Sequence, residues 1–361
     1  MLGSRRHMKL LGTILSAALL LAACADGGEV AADGEEGSGE PDTTEDGEDE
    51  GPAPDVSTLR IATQDEGSGW HAYGVTMAEI IQENVAGVDR VQVLPVGGAN
   101  ANSQLVQDGD ADLMINFNNT SRWAYEGMVD FEETTDEIRG LIGGIDEYYV
   151  GIVAREDLDA DSFDDIINGE MGIRLFTLPP GSGGEAVVRV LLDQYGVSYD
   201  DIEDWGGSIE NTTFDVIQSA FRDGRADVMI HTITADHPAT TEISQTSDVK
   251  VLGIEDPEVL SAMGEQFGMP EGELPAESFR GQPSAVTTSG LVSNVATSVH
   301  LPDEVAYEIT RALVEAWDQL VTAHPALAAM EPETAAEDEL LGIPLHPGAE
   351  QYYEEAGLLP N

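Results

Sequence analysis

Leu105-Val106-Gln107-Asp108-Gly109-Asp110-Ala111-Asp112-Leu113-Met114-Ile115 is matched further along the chain by Ala220-Phe221-Arg222-Asp223-Gly224-Arg225-Ala226-Asp227-Val228-Met229-Ile230. In each stretch a helix runs to a glycine suited to the left-handed C-cap, and an apolar strand begins three residues later. A likeness of about ten residues can arise by chance from one supersecondary type. It also fits two lobes of similar wiring that face each other across a cleft. Outward from the first stretch, Leu59–Thr63 and Val91–Val96 read as strands, a helix is expected from about Tyr73 to Asn84, and Thr120–Gly127 reads as helical. This β-α-β-α-β-α order predicts right-handed crossovers and a largely parallel sheet. Tyr148–Val153 is a strand of different rhythm, after which the pattern restarts with Phe163–Asn168 (helix), Gly172–Phe176 (strand) and Glu185–Tyr195. That last helix carries Val187, Val188, Leu191 and Leu192 at helical spacing. Phe214–Arg222 is a further helix, and Val228–Ile230 and Val249–Leu252 are strands. Residues 255–284 look loose and Gly/Pro-rich, Ala285–Asn294 returns the chain to the first lobe, and helices at Glu304–Ala323 and Gly348–Ala356 close it.

The 361 residues hold 15 Lys and Arg against 69 Asp and Glu, a net charge of −54. That balance excludes a sequence-independent nucleic-acid binder and a protein held to anionic lipid by a basic patch. The single cysteine, Cys24, excludes an intramolecular disulfide and a Cys₄ metal site. Arg5, Arg6 and Lys9 precede a short apolar run, Leu10–Leu21, which is too short to span a bilayer and reads as a secretory signal. Leu21-Ala22-Ala23-Cys24 resembles the lipobox of bacterial lipoproteins, which implies cleavage after residue 23 and a Cys24 carrying two or three acyl chains, enough for a stable anchor. Residues 25–55 contain thirteen acids, no base and one branched aliphatic side chain, Val30, and read as a disordered tether. The remainder still carries −44, with Lys250 as its one lysine, a balance suited to work in concentrated salt. The domain reading is 1–23 signal, 24–55 lipidated cysteine and tether, 56–147 with 285–361 the first lobe, and 148–284 the second.

Ligands in open α/β sheets bind where strands end and helices begin. Three such points are rich in small residues: Gly67-Ser68-Gly69-Trp70-His71, Gly97-Gly98-Ala99-Asn100 and Pro180-Gly181-Ser182-Gly183-Gly184. The third opens a helix, so its backbone amides are free to face an anion and Ser182 adds a hydroxyl. Glycine in one such loop need only make a tight turn; three at equivalent strand ends favour a site. Gly181–Ala186 also satisfies G-x-G-x-x-A, a weak dinucleotide signature that an exported protein has little use for. No G-x-S-x-G elbow or H-E-x-x-H occurs, and His231 and His237 alone do not make a metal site. No catalytic residue, metal or cofactor is expected.

The order of segments resembles the TAXI family (TRAP-associated extracytoplasmic immunogenic proteins), the solute receptors of one class of TRAP transporter. The matching pieces are Gly97-Gly98 with Asn102, the Asp108–Leu113 run, Pro179–Gly183, Val197–Ile202, His324-Pro325 and Ile343–Tyr353. The resemblance implies a two-lobed periplasmic-binding-protein fold of class II type. It also implies capture of a small carboxylate such as 2-oxoglutarate or glutamate by lobe closure about hinges near Tyr148–Ala154 and Ala285–Asn294. A monomer would then deliver the solute to an ion-gradient-driven membrane permease. Carried over by position, the cleft is lined by Gly67–His71, Gly97–Asn100, Asn116–Asn119 (Asn118 and Asn119 above all), Gly181–Gly184 and His231–Thr234, with Thr232 among them. Where the family usually reads Gly-Gly-Thr-Tyr-Tyr-Pro this chain has Gly67–Ala72, its Gln-Ser-Asp is Phe117-Asn118-Asn119, and its Thr after Gly-Ser-Gly is Gly184. Loss of the carboxylate at Asn119 tilts the expectation toward a ligand without an amino group. The same fold could serve a sensing partner, and an extracytoplasmic enzyme is a third reading.

Overall fold

A computed structural model describes residues 56–66 and 68–359; the signal segment, Cys24, the tether and Gly67 lie outside the described residues. The eleven strands are β1 Thr58–Thr63, β2 Arg90–Pro95, β3 Leu113–Phe117, β4 Ile138–Ile142, β5 Glu147–Arg155, β6 Arg174–Thr177, β7 Ser208–Asn211, β8 Val228–Ile233, β9 Val249–Leu252, β10 Glu271–Leu274 and β11 Val286–Ser298. Helices α1–α3 (Gly69–Asn84, Ala99–Gln107, Asn118–Glu126) follow β1, β2 and β3 in turn. Helices α4–α9 (Phe163–Asn168, Gly183–Gln194, Tyr199–Asp204, Phe214–Arg222, Pro238–Thr246, Pro257–Phe267) lie between β5 and β10 in the chain. Helices α10–α13 (Asp303–Glu315, Trp317–Ala323, Asp338–Leu341, Pro347–Ala356) close the chain.

The strand path runs β2-β1-β3-β11-β5-β8-β6-β7. The two matched stretches, Leu105–Ile115 and Ala220–Ile230, occupy equivalent places in it. Asp112, just before β3, accepts from the backbone N of Arg60 at 2.7 Å and from its Nε at 3.2 Å, while Arg60 Nη2 reaches the Gly109 carbonyl at 2.7 Å. Asp227, just before β8, accepts from Arg174 N at 2.9 Å and Nε at 2.8 Å, and Arg174 Nη1 reaches the Gly224 carbonyl at 2.8 Å. In both lobes the aspartate thus ties the end of one helix–strand turn to the parallel neighbour, β1 or β6.

Among the strands of the described residues only β2-β1-β3 and β8-β6-β7 are parallel. The sheet is mixed rather than largely parallel, because the connecting strands β5 and β11 run antiparallel to their partners. β11 belongs to both lobes. Residues 290–292 pair with β5, and from Ser293 onward it pairs with β3, then also with β4. The path therefore crosses between lobes at two adjacent places, residues 143–146 and the Val292–Ser293 step. The stretch 255–284 is more ordered than its composition suggests, since it holds α9 and β10. The helix expected over 304–323 breaks at Ala316, and α1 starts at Gly69 rather than near Tyr73. A continuous apolar core runs through both lobes, from Leu59, Ile61 and Trp123 to Val187, Leu191 and Ile230. Among the described residues no helix is long and apolar enough to cross a membrane.

Candidate functional site

Two small-residue loops from opposite lobes meet at the start of α5. Ser182 caps that helix by accepting from Glu185 N at 3.3 Å. Gly183 and Gly184 fill the first turn, whose amides have no acceptor within the helix. A Cβ placed on Gly183 would lie 3.2 Å from Ala99 Cβ, 3.6 Å from Phe117 Cδ2 and 3.7 Å from Thr120 Oγ1. The N-terminus of α5 therefore abuts those of α2 and α3. Helix α2 starts at Gly98, whose φ of 101° suits glycine, and no side chain caps it. The ends of α2 and α3 carry neither a side-chain cap nor an acid in the first turn, and the one acid in that of α5, Glu185, is paired with Arg189, so the converging amides suit an anion.

The first loop enters through aromatic contacts. Ser68 caps α1 by accepting from His71 N at 3.1 Å, and Trp70 is fully buried edge-on to Phe117, with ring centroids 4.7 Å apart. Phe117 in turn meets Tyr148 of β5 at 4.9 Å. Gly69 packs against the Tyr73 ring, and His71 Nδ1 sits 3.4 Å from Thr63 Oγ1. Gly97 and Gly181 shape the outer turns and face open space. Asn118 is spent on structure: its Nδ2 donates to the Glu339 and Gly268 carbonyls and its Oδ1 accepts from Val292 N. Asn119 is buried against Gly268 with neither amide atom partnered. Thr232 is buried on the face of β8 that carries Val228 and Ile230, packed in one cluster with Val187 and Leu191 of α5.

His231 explains Gly184. A Cβ on that glycine would fall 2.1 Å from His231 Nδ1, so the imidazole occupies the place a larger side chain would need. The ring is buried beside Phe214 (5.0 Å) and His237 (5.9 Å), and its Nδ1 has no partner. Burial, then the neighbouring His237, drives its pKa well below the usual imidazole range, so it is neutral at pH 7. Thr120 Oγ1 near Gly183 is likewise buried and unpartnered. These unsatisfied groups mark a site that a polar ligand or water would complete.

A polar chain closes the outer edge. Asn100 Nδ2 donates to Asp130 Oδ2 at 2.9 Å, and Asp130 Oδ1 pairs with Arg189 of α5 at 2.7 Å. Arg189 Nε meets Glu185 at 2.9 Å, and the Tyr199 hydroxyl donates to the same carboxylate at 3.1 Å. Asn100, expected at the ligand, is thus also the first link of a clasp between lobes. The sequence reading had no signal for Asp130 and Arg189, since one more acid in so acidic a chain is uninformative. Two open hollows lie elsewhere, one of about 690 Å³ beside Asp248 and Arg280 and one of about 370 Å³ beside Trp317 and Met330. Among the described residues no group of three or more His, Cys, Asp or Glu could hold a metal ion.

Residues 61–357 match the model of the NMT1-like family. The chain belongs to the NMT1-like family. Among solved structures it is similar to MatC from Rhodopseudomonas palustris with bound malate, at 14% identity over 83% of this chain and 96% of that one, with a TM-score of 0.50. It is also similar to a TctC solute binding protein from Polaromonas (14% identity, 84% and 98% covered, TM-score 0.48) and to a periplasmic sulfonate-binding protein, SsuA, from Methylobacillus flagellatus (12%, 85% and 98%, 0.49). At such identities the likeness concerns the fold, which is the two-lobed α/β fold of periplasmic binding proteins.

Proposed function

We propose that this NMT1-like protein is an extracytoplasmic solute receptor of the TAXI type, anchored through Cys24, that captures a small organic carboxylate and presents it to an ion-gradient-driven permease. The observation that carries this reading is the convergence of the α5 and α2 N-termini from opposite lobes, with Gly183 against Ala99. In a chain of net charge −54 the long-range field repels an anion, so recognition rests on short-range donors. First-turn amides, the Thr120 hydroxyl and the neutral His231 ring supply them without adding charge. Malate bound to MatC is consistent with a ligand of that chemistry in this fold.

Mechanistically, a carboxylate held by first-turn amides of both lobes is satisfied only when the lobes are together, so binding favours closure. The Asp130–Arg189 pair adds to the closed form, and the two crossings between lobes, residues 143–146 and Val292–Ser293, are where the chain bends. The carrier then reads the closed shape. Every donor at the junction serves binding, and we read the protein as a receptor rather than an enzyme. Titration calorimetry of the soluble chain with malate, 2-oxoglutarate and L-glutamate tests the carboxylate: saturable binding of at least one is expected, and heat from none of them contradicts it. Expression of full-length Cys24→Ala tests the anchor. The variant should leave the membrane fraction while the parent stays; an unchanged distribution removes the anchor from the account.

A further inference from the structure

Asp146 lies in the crossing between β4 and β5 and is fully buried. One carboxylate oxygen accepts from Ser293 Oγ, at the step where β11 changes lobes, and the carboxylate also takes hydrogen bonds from the Tyr148 hydroxyl and the Ser293 amide, all of them neutral donors. The groups facing it come from three elements. Tyr73 belongs to α1, Glu147 and Tyr148 to β5, and Ser293 to β11. None of these is a cation, and Asp146 makes no ion pair with Arg, Lys or His among the described residues. Its neighbours are aromatic: Trp70, whose buried indole N–H is directed to the Tyr148 hydroxyl, then Phe117, Tyr148 and Tyr73.

A buried carboxylate without a counter-charge either takes up a proton or receives a cation from outside the fold. Burial does push Asp146 up to about 7, the half-way condition of a group that a cation would hold ionised. The surroundings favour the cation. Ring faces attract ammonium groups, the carboxylate has only neutral donors around it, and Tyr148 retains partial exposure. Phe117 links the two regions, touching Gly183 at the anion end and Trp70 and Tyr148 at the Asp146 end.

We infer that Asp146 is the counter-charge for a cationic group on the solute, which makes the solute a zwitterion, an amino- or ammonio-carboxylate; this rests on the carboxylate reading above. It reverses the expectation drawn from Asn119, because the charge lost there is supplied from the hinge. The location also couples occupancy to closure, since Asp146 and Ser293 join the two crossing strands.

The test is calorimetry at fixed salt and neutral pH with pairs that differ in the cationic group: L-glutamate against 2-oxoglutarate, L-aspartate against malate, and glycine betaine against 3,3-dimethylbutanoate. In at least one pair the cationic member should bind about tenfold tighter, the equivalent of one buried charge contact. Asp146→Asn should reduce that ratio to near one. If Asp146→Asn does not fold, Tyr148→Leu should weaken the cationic member alone. Equal or tighter binding of the uncharged member in every pair that binds, or a ratio unchanged in the variant, overturns the inference and leaves the carboxylate reading standing. Binding of no compound overturns both.

Discussion

Gly184→Ala should change sign with its neighbour. The added Cβ would stand 2.1 Å from His231 Nδ1 and 2.4 Å from Cε1, both far inside contact distance. The ring cannot simply swing away, because it is buried between Phe214 and His237. Overpacking of a buried site costs roughly 1–3 kcal/mol, whereas replacing glycine by alanine inside a helix returns about 0.5–1 kcal/mol. The balance in the parent background is a loss of about 1–2 kcal/mol. In His231→Ala the obstacle is gone and only the gain remains, so the same substitution stabilises by about 0.5–1 kcal/mol. Urea unfolding at fixed salt measures both. With a slope near 3 kcal/mol/M, the midpoint should fall by about 0.5 M in the parent and rise slightly in the His231→Ala background. Equal shifts in the two backgrounds would refute the claim that Gly184 exists to admit the imidazole.

Asp130→Asn breaks the clasp while leaving Glu185 paired with Arg189; for a half-exposed ion pair worth about 0.5–1 kcal/mol, carboxylate affinity measured by calorimetry should fall about two- to fivefold, and the difference should shrink in molar KCl. Burial pushes His237 down to about 4 and holds His231 well below the usual imidazole range, so the unfolded chain takes up protons first. Stability is complete above about pH 6.5 and is lost as pH falls toward 4, and a His231→Gln/His237→Gln variant should show a smaller loss in melting temperature across that window. Asp227 accepts three bonds from Arg174, as Asp112 does from Arg60, but it also pairs with Arg155 at 3.5 Å, and its environment holds it below the usual carboxylate range. Asp227→Asn should therefore cost more in chemical denaturation than Asp112→Asn, whose side-chain bonds to Arg60 are 3.2 and 3.4 Å.

The apolar runs Leu113–Ile115 and Val228–Ile230 were legible as strands, whereas their continuations Asn116-Phe117 and His231–Ile233 were not, because a polar residue interrupts each run. Ser208–Asn211 was not: it is a short polar strand at the end of the path, largely exposed, where pairing rather than side-chain pattern makes the structure. Helix α9 did carry a signal that composition obscured, with Asp256 accepting from Glu258 N and Pro257 at the first helical position. Strand direction was illegible, because the same alternation serves parallel and antiparallel partners, and that hid the antiparallel β5 and β11. At the site, glycine loops announced the helix N-termini through their backbone needs. The Asp130–Arg189 clasp and the buried Asp146 did not announce themselves, for in this chain an acid is the commonest polar residue and only three-dimensional burial singles one out.

The central claim is that first-turn amides from two lobes hold one small carboxylate. Amide resonances of the isotope-labelled soluble chain, followed while L-glutamate, L-aspartate, 2-oxoglutarate, malate and glycine betaine are each titrated in, test it most directly. At least one of these should shift Gly183, Gly184, Ala99 and Asn100 together, saturating at one concentration, while amides beside Arg280 and Trp317 stay still. Saturable shifts confined to the Arg280 or Trp317 hollow, or to one lobe alone, would contradict it.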